Sequence, residues 1–351
     1  MGLKYRGGYT SAAHHEKRSA PQPIDSVGDG VAWASGTNGT ILRTEDGGYV
    51  WQLCAIPSGA EKLDFRGIQA FDANTAIVMS SGKGDLSRLY KTTDGCQTWK
   101  LIFTNPDKEG FWDALVTSKG SGLLIGDPVA SRFEIYGSED PGLNVWQRIG
   151  EESSMHTFHF DLSAYPGEEL FAASNSVLMG SPQAGILFVG GGELGAKLSL
   201  AAWKDRSYIS FKSAIPLAKG STSGAFSFAA AQQSLTSFGH LVAVGGNYAD
   251  PNQAKGTAAW SKDGGQHWHP STTPSHGYRS SVAYDSQQKL WITVGPNGTD
   301  VSRDDGRNWT ALKPTKEDAP DADKNWNALS LPFVVGPNGR IGKLRPSALN
   351  P

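Results

Sequence analysis

Eight residues with useful side-chain chemistry recur at one kind of place in this chain, beside short apolar runs: Arg66, Trp112, Asp113, Asn247, Tyr248, Tyr278, Arg279 and Trp326. Two guanidinium groups can clamp a carboxylate or another anion, and the aromatic rings offer a sugar or a peptide a face to stack on. Asp113 and Asp127 are of the type that share acid and base roles in glycoside cleavage when about 5 to 10 Å apart, and Tyr278 beside Arg279 is a candidate nucleophile. Together they suit a mouth for an anionic or sugar-like ligand or a peptide carboxylate, with Asp113, Asp127 and Tyr278 as the candidates for catalysis. His156, His159 and Asp161 have a His-x-x-His-x-Asp spacing that can hold a transition metal. In a loop with no second motif a packed lid is the simpler reading, and no metal is expected. The stretch GGGELG from Gly190 follows a strand pattern, but no helix pattern comes after it to bind a pyrophosphate, so no cofactor is expected. Cys54 and Cys96 are too few for a disulfide framework and lack metal-ligand spacing. They are either one bond between neighbouring repeats, which would suit an oxidising compartment, or two buried thiols.

The elements that must position these residues are repeated. TEDGGYVW, TTDGCQTW, SKDGGQHW and SRDDGRNW share Ser/Thr, Asp, Gly and Trp at fixed offsets, with Cys96 in the glycine position of the second. The spacing suits a hairpin turn: Asp46, Asp94, Asp263 and Asp304 cap turn amides, glycine takes a positive φ, and Trp51, Trp99, Trp268 and Trp309 pack inward. Weaker copies follow at Ser138 to Trp146 and Lys204 to Phe211. A second pattern is an apolar strand that stops at glycine, ending at Gly36, Gly82, Gly126, Gly190, Gly245, Gly295 and Gly336, about 41 to 64 residues apart. That is the length of a four-stranded propeller blade with variable loops. The expectation is an all-β, seven-bladed propeller in one domain. Its antiparallel blades would run approximately over 24–57, 63–105, 109–150, 168–216, 224–271, 276–313 and 325–346. The last unit lacks an outer strand, so a strand from the 1–23 segment, within roughly 5 to 22, is expected to close the ring.

The box turns are similar to the BNR or Asp-box repeats of bacterial sialidases, and WASGTNGTILRTEDGGYVWQ and FRGIQAFD resemble the photosystem II stability and assembly factor family and its bacterial relatives. The resemblance covers nearly the whole chain. It implies a propeller, and from the assembly factors a non-catalytic scaffold with a peptide or protein partner. The alternative is a glycoside hydrolase or lyase. A sialidase would need three arginines on the substrate carboxylate, a Tyr nucleophile with a Glu partner and an acid/base Asp. Only Arg66 and Arg279 stand at matching strand starts. The turns lie on the face away from the mouth, so their aspartates are structural.

Composition narrows the partners. The 351 residues carry 43 Gly, 11 Trp and 19% charged residues, which suits short strands and tight turns rather than long amphipathic helices. A net charge of -2 with scattered Lys and Arg gives no basic field for nucleic acid. No apolar run reaches the roughly 18 residues of a membrane span. The expected partner is a peptide, protein or carbohydrate, and the chain is expected to be a monomer. If a leader has been removed, a periplasmic or extracellular location is expected.

Overall fold

Apolar runs in this chain alternate between two neighbours rather than between core and water. In Ala76–Ser80, Ala76 and Val78 pack with Trp33 and Phe65, whereas Ile77 and Met79 pack with Trp112 and Leu124. A strand buried on both faces reads as an unbroken apolar run. The same division recurs in Leu241–Asn247, where Leu241 and Ala243 face one cluster and Val242 and Val244 another. The computed structural model describes residues 3–5, 21–118, 120–149, 162–204, 207–231 and 239–349. Among them it contains strands and two short 3-10 turns, with no α-helix.

The strands form antiparallel sheets in chain order. The first four-stranded sheet holds Pro21–Gly28, Val31–Gly36, Ile41–Thr44 and Gln52–Leu53. The second holds Phe65–Ala70, Ala76–Ser80, Arg88–Thr92 and Lys100–Thr104. The third holds Trp112–Ser118, Ser121–Val129, Arg132–Ser138 and Gln147–Arg148. A nine-stranded sheet follows, in which a group around Gly185–Gly192 meets a group around Gly220–Ala230 through Gly191 opposite Gly224 and Gly192 opposite Gly220. Ser281–Asp285, Leu290–Gly295, Gly298–Ser302 and Thr310–Ala311 make another four-stranded sheet, and Ala328–Ser330, Phe333–Gly336, Arg340–Leu344 and Leu3–Tyr5 make the last.

Each group packs face to face on the next. Ile24, Ala32, Ala34 and Leu42 of the first sheet share a cluster with Ala328, Phe333 and Val335 of the last, and Trp51 meets Phe333 edge-on at 5.7 Å. The fourth strand of the last sheet comes from the opposite end of the chain: Leu3 lies opposite Leu344 and Tyr5 opposite Gly342. This strand overlaps the expected 5–22 stretch only at Tyr5, and Pro21, expected in the arm, already pairs with Gly36 in the first sheet.

The recurrent glycine has a steric cause. A Cβ on Gly126, Gly190, Gly245, Gly295 or Gly336 would lie 1.9–2.5 Å from the carbonyl oxygen of Phe111, Glu169, Gly224, Tyr278 or Asn325 respectively. In these five groups the chain entering at the inner end crosses over the second strand at that point, and only glycine leaves room.

Candidate functional site

Those crossing points define a common frame. The residue after each crossing is buried between sheets, as Trp112, Leu170, Ala225, Arg279 and Trp326 are. The amide of Trp326 donates to Gly295 O of the preceding sheet and that of Arg279 to Gly245 O, while Asn327 and Ser280 donate to Val335 O and Val294 O of their own groups. The second residue after the crossing therefore faces the axis: Asp113, Phe171, Phe226, Ser280 and Asn327. Arg66 takes the same place after Phe65. In three strands this residue is an extra one, because the register slips between Phe65 and Gly67, Trp112 and Ala114, and Ala225 and Ser227. A β-bulge of this kind re-aims a side chain out of the ladder.

All six line one cavity of about 450 Å³. In chain order its wall is charged (Arg66, Asp113), aromatic (Phe171, Phe226), then neutral and polar (Ser280, Asn327). Asp127, Tyr248, Tyr278 and Trp326 complete it. Phe171 and Phe226 are stacked with centroids 3.9 Å apart, and Tyr278 and Tyr248 meet Phe226 edge-on at 4.8 and 5.9 Å.

The charged sector is incompletely paired. Asp113 is 1% exposed and its Oδ2 has no hydrogen-bond partner. Burial holds its carboxyl well above the usual range; neighbouring Asp127 adds to this and Arg66 opposes it. Burial also pushes Asp127 up to about 6, against the hydrogen bond from the Leu170 amide at 2.9 Å and with some help from Glu169. Arg66 Nη1 reaches Ala172 O at 3.4 Å and Nη2 lies 3.9 Å from Asp64, while its buried Nε has no partner.

Several expected mouth residues stand elsewhere. Arg279 is fully buried at the position occupied by Trp112 and Trp326 in other groups, held by Asp300, by Asn297 Oδ1 at 2.6 Å and by Tyr278 O at 2.9 Å. It is unavailable to an anion. Trp112 is buried between sheets, stacked on Phe103 at 5.3 Å. Asn247 braces a turn, accepting from Thr222 Oγ1 at 2.7 Å and the Ala249 amide at 2.9 Å. Trp326 reaches the cavity but is anchored by Ala322 O and covered by Arg340. The Tyr278 hydroxyl is raised by burial, with Tyr248 adding to it, which opposes use as a nucleophile. His156, His159 and Asp161 lie outside the described residues. Phe171 was missed because the segment around it, between Glu168–Glu169 and Leu178–Ser181, carries no Phe-Arg or Trp-Asp pair. The signal was its place, two residues after the one that crosses Gly190.

The four turns lie away from this cavity. In each, the Ser or Thr hydroxyl donates to the Asp Oδ1 at 2.8–3.0 Å and the carboxylate accepts amides of the loop. Gly47 and Gly95 donate to Gly30 O and Asn74 O, beside the turns that end the first strands. Cys54 and Cys96 are joined, with their Cα atoms 5.3 Å apart, linking the outer strand of the first sheet to the turn of the second.

No family model matches the chain, and no curated protein matches it. Solved structures do. YCF48 from Cyanidioschyzon merolae aligns over 98% of this chain and 99% of its own at 16% identity, with a TM-score of 0.62. The fold is a β-propeller. A YCF48 propeller bound to D1 peptide aligns over 93% of this chain and 94% of its own, at 17% identity and TM-score 0.59. An ancestral GH74 enzyme aligns over 94% of this propeller but 45% of its own chain, at 10% identity and TM-score 0.56. Among the described residues no helix is long and apolar enough to cross a membrane.

Proposed function

We propose that this chain is a seven-bladed propeller with Asp-box turns, closed by the strand Leu3–Tyr5, and that it is a non-catalytic scaffold holding a peptide or a protein segment in its central mouth. The nine-stranded sheet is read as two blades that touch through glycines. The observation that carries the binding role is the cavity: six successive strand groups each send one side chain into it, three from within a strand (Arg66, Asp113, Phe226) and three from the chain beside one (Phe171, Ser280, Asn327), and two buried polar atoms of its lining residues, Asp113 Oδ2 and Arg66 Nε, have no partner. A buried unpaired acceptor costs about 1–3 kcal/mol, so it marks a place where a ligand atom is welcome. The bond between Cys54 and Cys96 favours a periplasmic or extracellular setting, and the chain is read as a monomer.

The test is binding of the pure protein to an array of unstructured peptides, compared with Tyr248→Ala. Tyr248 is 51% exposed and packs against Phe226, so its loss should weaken peptide capture at least tenfold without a change in melting temperature. Capture unaffected by this change removes the mouth from the account.

A second reading, a glycoside hydrolase or lyase, is favoured by one observation: two neighbouring carboxyls, Asp113 and Asp127, are both raised by burial beside an aromatic wall, the setting in which a carboxyl can serve as a general acid. Release of reducing ends from an oligosaccharide, lost in Asp113→Asn, would establish it.

A further inference from the structure

We propose that the mouth takes a cationic side chain, a lysine or arginine of the bound peptide, with its charged group at Asp113 and Asp127 and its stem along Phe171, Phe226 and Tyr248. This rests on the peptide-binding reading above and gives the site its ligand class. With Arg279 buried against Asp300, the cavity keeps one guanidinium, Arg66, against two carboxyls. Once both carboxyls are ionised, its charge opposes an anionic guest and suits a cation. Asp113 lines the cavity and its buried Oδ2 has no hydrogen-bond partner; an ammonium or guanidinium supplies donors only. The aromatic faces next to it attract a cation and cover the apolar stem.

Proton linkage gives a second readout. The groups facing the two carboxyls are Arg66 with its neighbour Asp64, Glu169, Tyr248 and Tyr278. Burial raises both carboxyls, so the empty site holds protons that a cation expels. Binding therefore releases protons, and affinity rises with pH through about 6.

The experiment uses the full chain and a pentapeptide library with a fixed central residue, in which lysine and arginine are compared with acetyl-lysine and citrulline. The expected result is at least tenfold preference for the charged residues, lost in Asp113→Asn and in Asp127→Asn. Arg66→Gln, which removes the competing cation, should tighten binding several-fold. Titration in two buffers of different ionisation enthalpy should show net proton release. If acetyl-lysine and citrulline bind as well as lysine and arginine, or if acidic residues are preferred and Arg66→Gln weakens them, this inference fails while the peptide scaffold stands. If no central residue gives binding to the wild-type protein, the scaffold reading fails with it.

Discussion

Arg279 and Asp300 are both fully buried and bonded to each other, and His276 Nδ1 also contacts the carboxylate. A buried charge that loses its partner is strongly destabilising, by about 3–5 kcal/mol. Arg279→Ala should therefore lower unfolding free energy by about that amount in a denaturant melt, and replacing both residues with leucine should restore part of it. A small loss would mean that water reaches the pair. The contrast with Arg66 shows what a one-residue offset does. Both arginines follow an aromatic residue near a strand start, Phe65-Arg66 and Tyr278-Arg279, and in sequence alone they are equivalent. The backbone does not, because Tyr278 is the residue that crosses Gly295 whereas Phe65 stands one place further on. Side-chain direction alternates with each residue, so the difference moves one guanidinium into the wall and leaves the other at the mouth.

At the scale of elements, the second, third and fourth box turns each bond to the strand group that precedes their own. Trp99 Nε1 donates to Ala55 O at 2.9 Å, Trp268 Nε1 to Ser213 Oγ at 3.2 Å and Trp309 Nε1 to Ser271 Oγ at 3.3 Å. In the first two turns this seam also carries the bond between Cys54 and Cys96, 42 residues apart. Closing a loop of that length is worth about 3–4 kcal/mol through the unfolded chain. Cys96 sits at φ 63, where the equivalent residues are Gly48, Gly265 and Gly306. A non-glycine residue there costs about 1 kcal/mol. The double change Cys54→Ser with Cys96→Ser should lose about 3–4 kcal/mol in a denaturant melt under non-reducing conditions. Pairing Cys54→Ser with Cys96→Gly should recover about 1 kcal/mol of it. Equal stability of the two variants would show that the turn bears no strain. These turns were legible in sequence because a hydroxyl, a carboxylate and a positive-φ residue must keep fixed offsets. The bulges at Arg66, Asp113 and Phe226 were not, since an extra residue in a ladder leaves no mark in apolar alternation.

For the whole molecule, the glycine-ended runs were the most readable feature. Six of the seven glycines lie within a second strand, and Gly82 follows Ala76–Ser80 by two residues. A backbone crossing that excludes any Cβ constrains residue type at one point, which is why it survives where the box decays. The partner of Arg340–Leu344 was less readable: a three-residue strand, Leu3–Tyr5, has too few side chains for a period. If that strand closes the ring, deleting residues 1–5 should lower the melting temperature of the entire domain in one transition, because Phe333 and Trp51 would lose the edge that holds the last sheet to the first. An unchanged melting temperature would separate the strand from the closure. The central claim remains that the mouth, not the box face, is where a partner sits. The most direct measurement is a crystal structure of the full chain with a lysine-centred peptide. Peptide density is expected among Phe171, Phe226 and Tyr248 with the lysine Nζ beside Asp113, and a peptide seated on the Asp-box turns with the mouth empty would contradict a ligand role for the mouth.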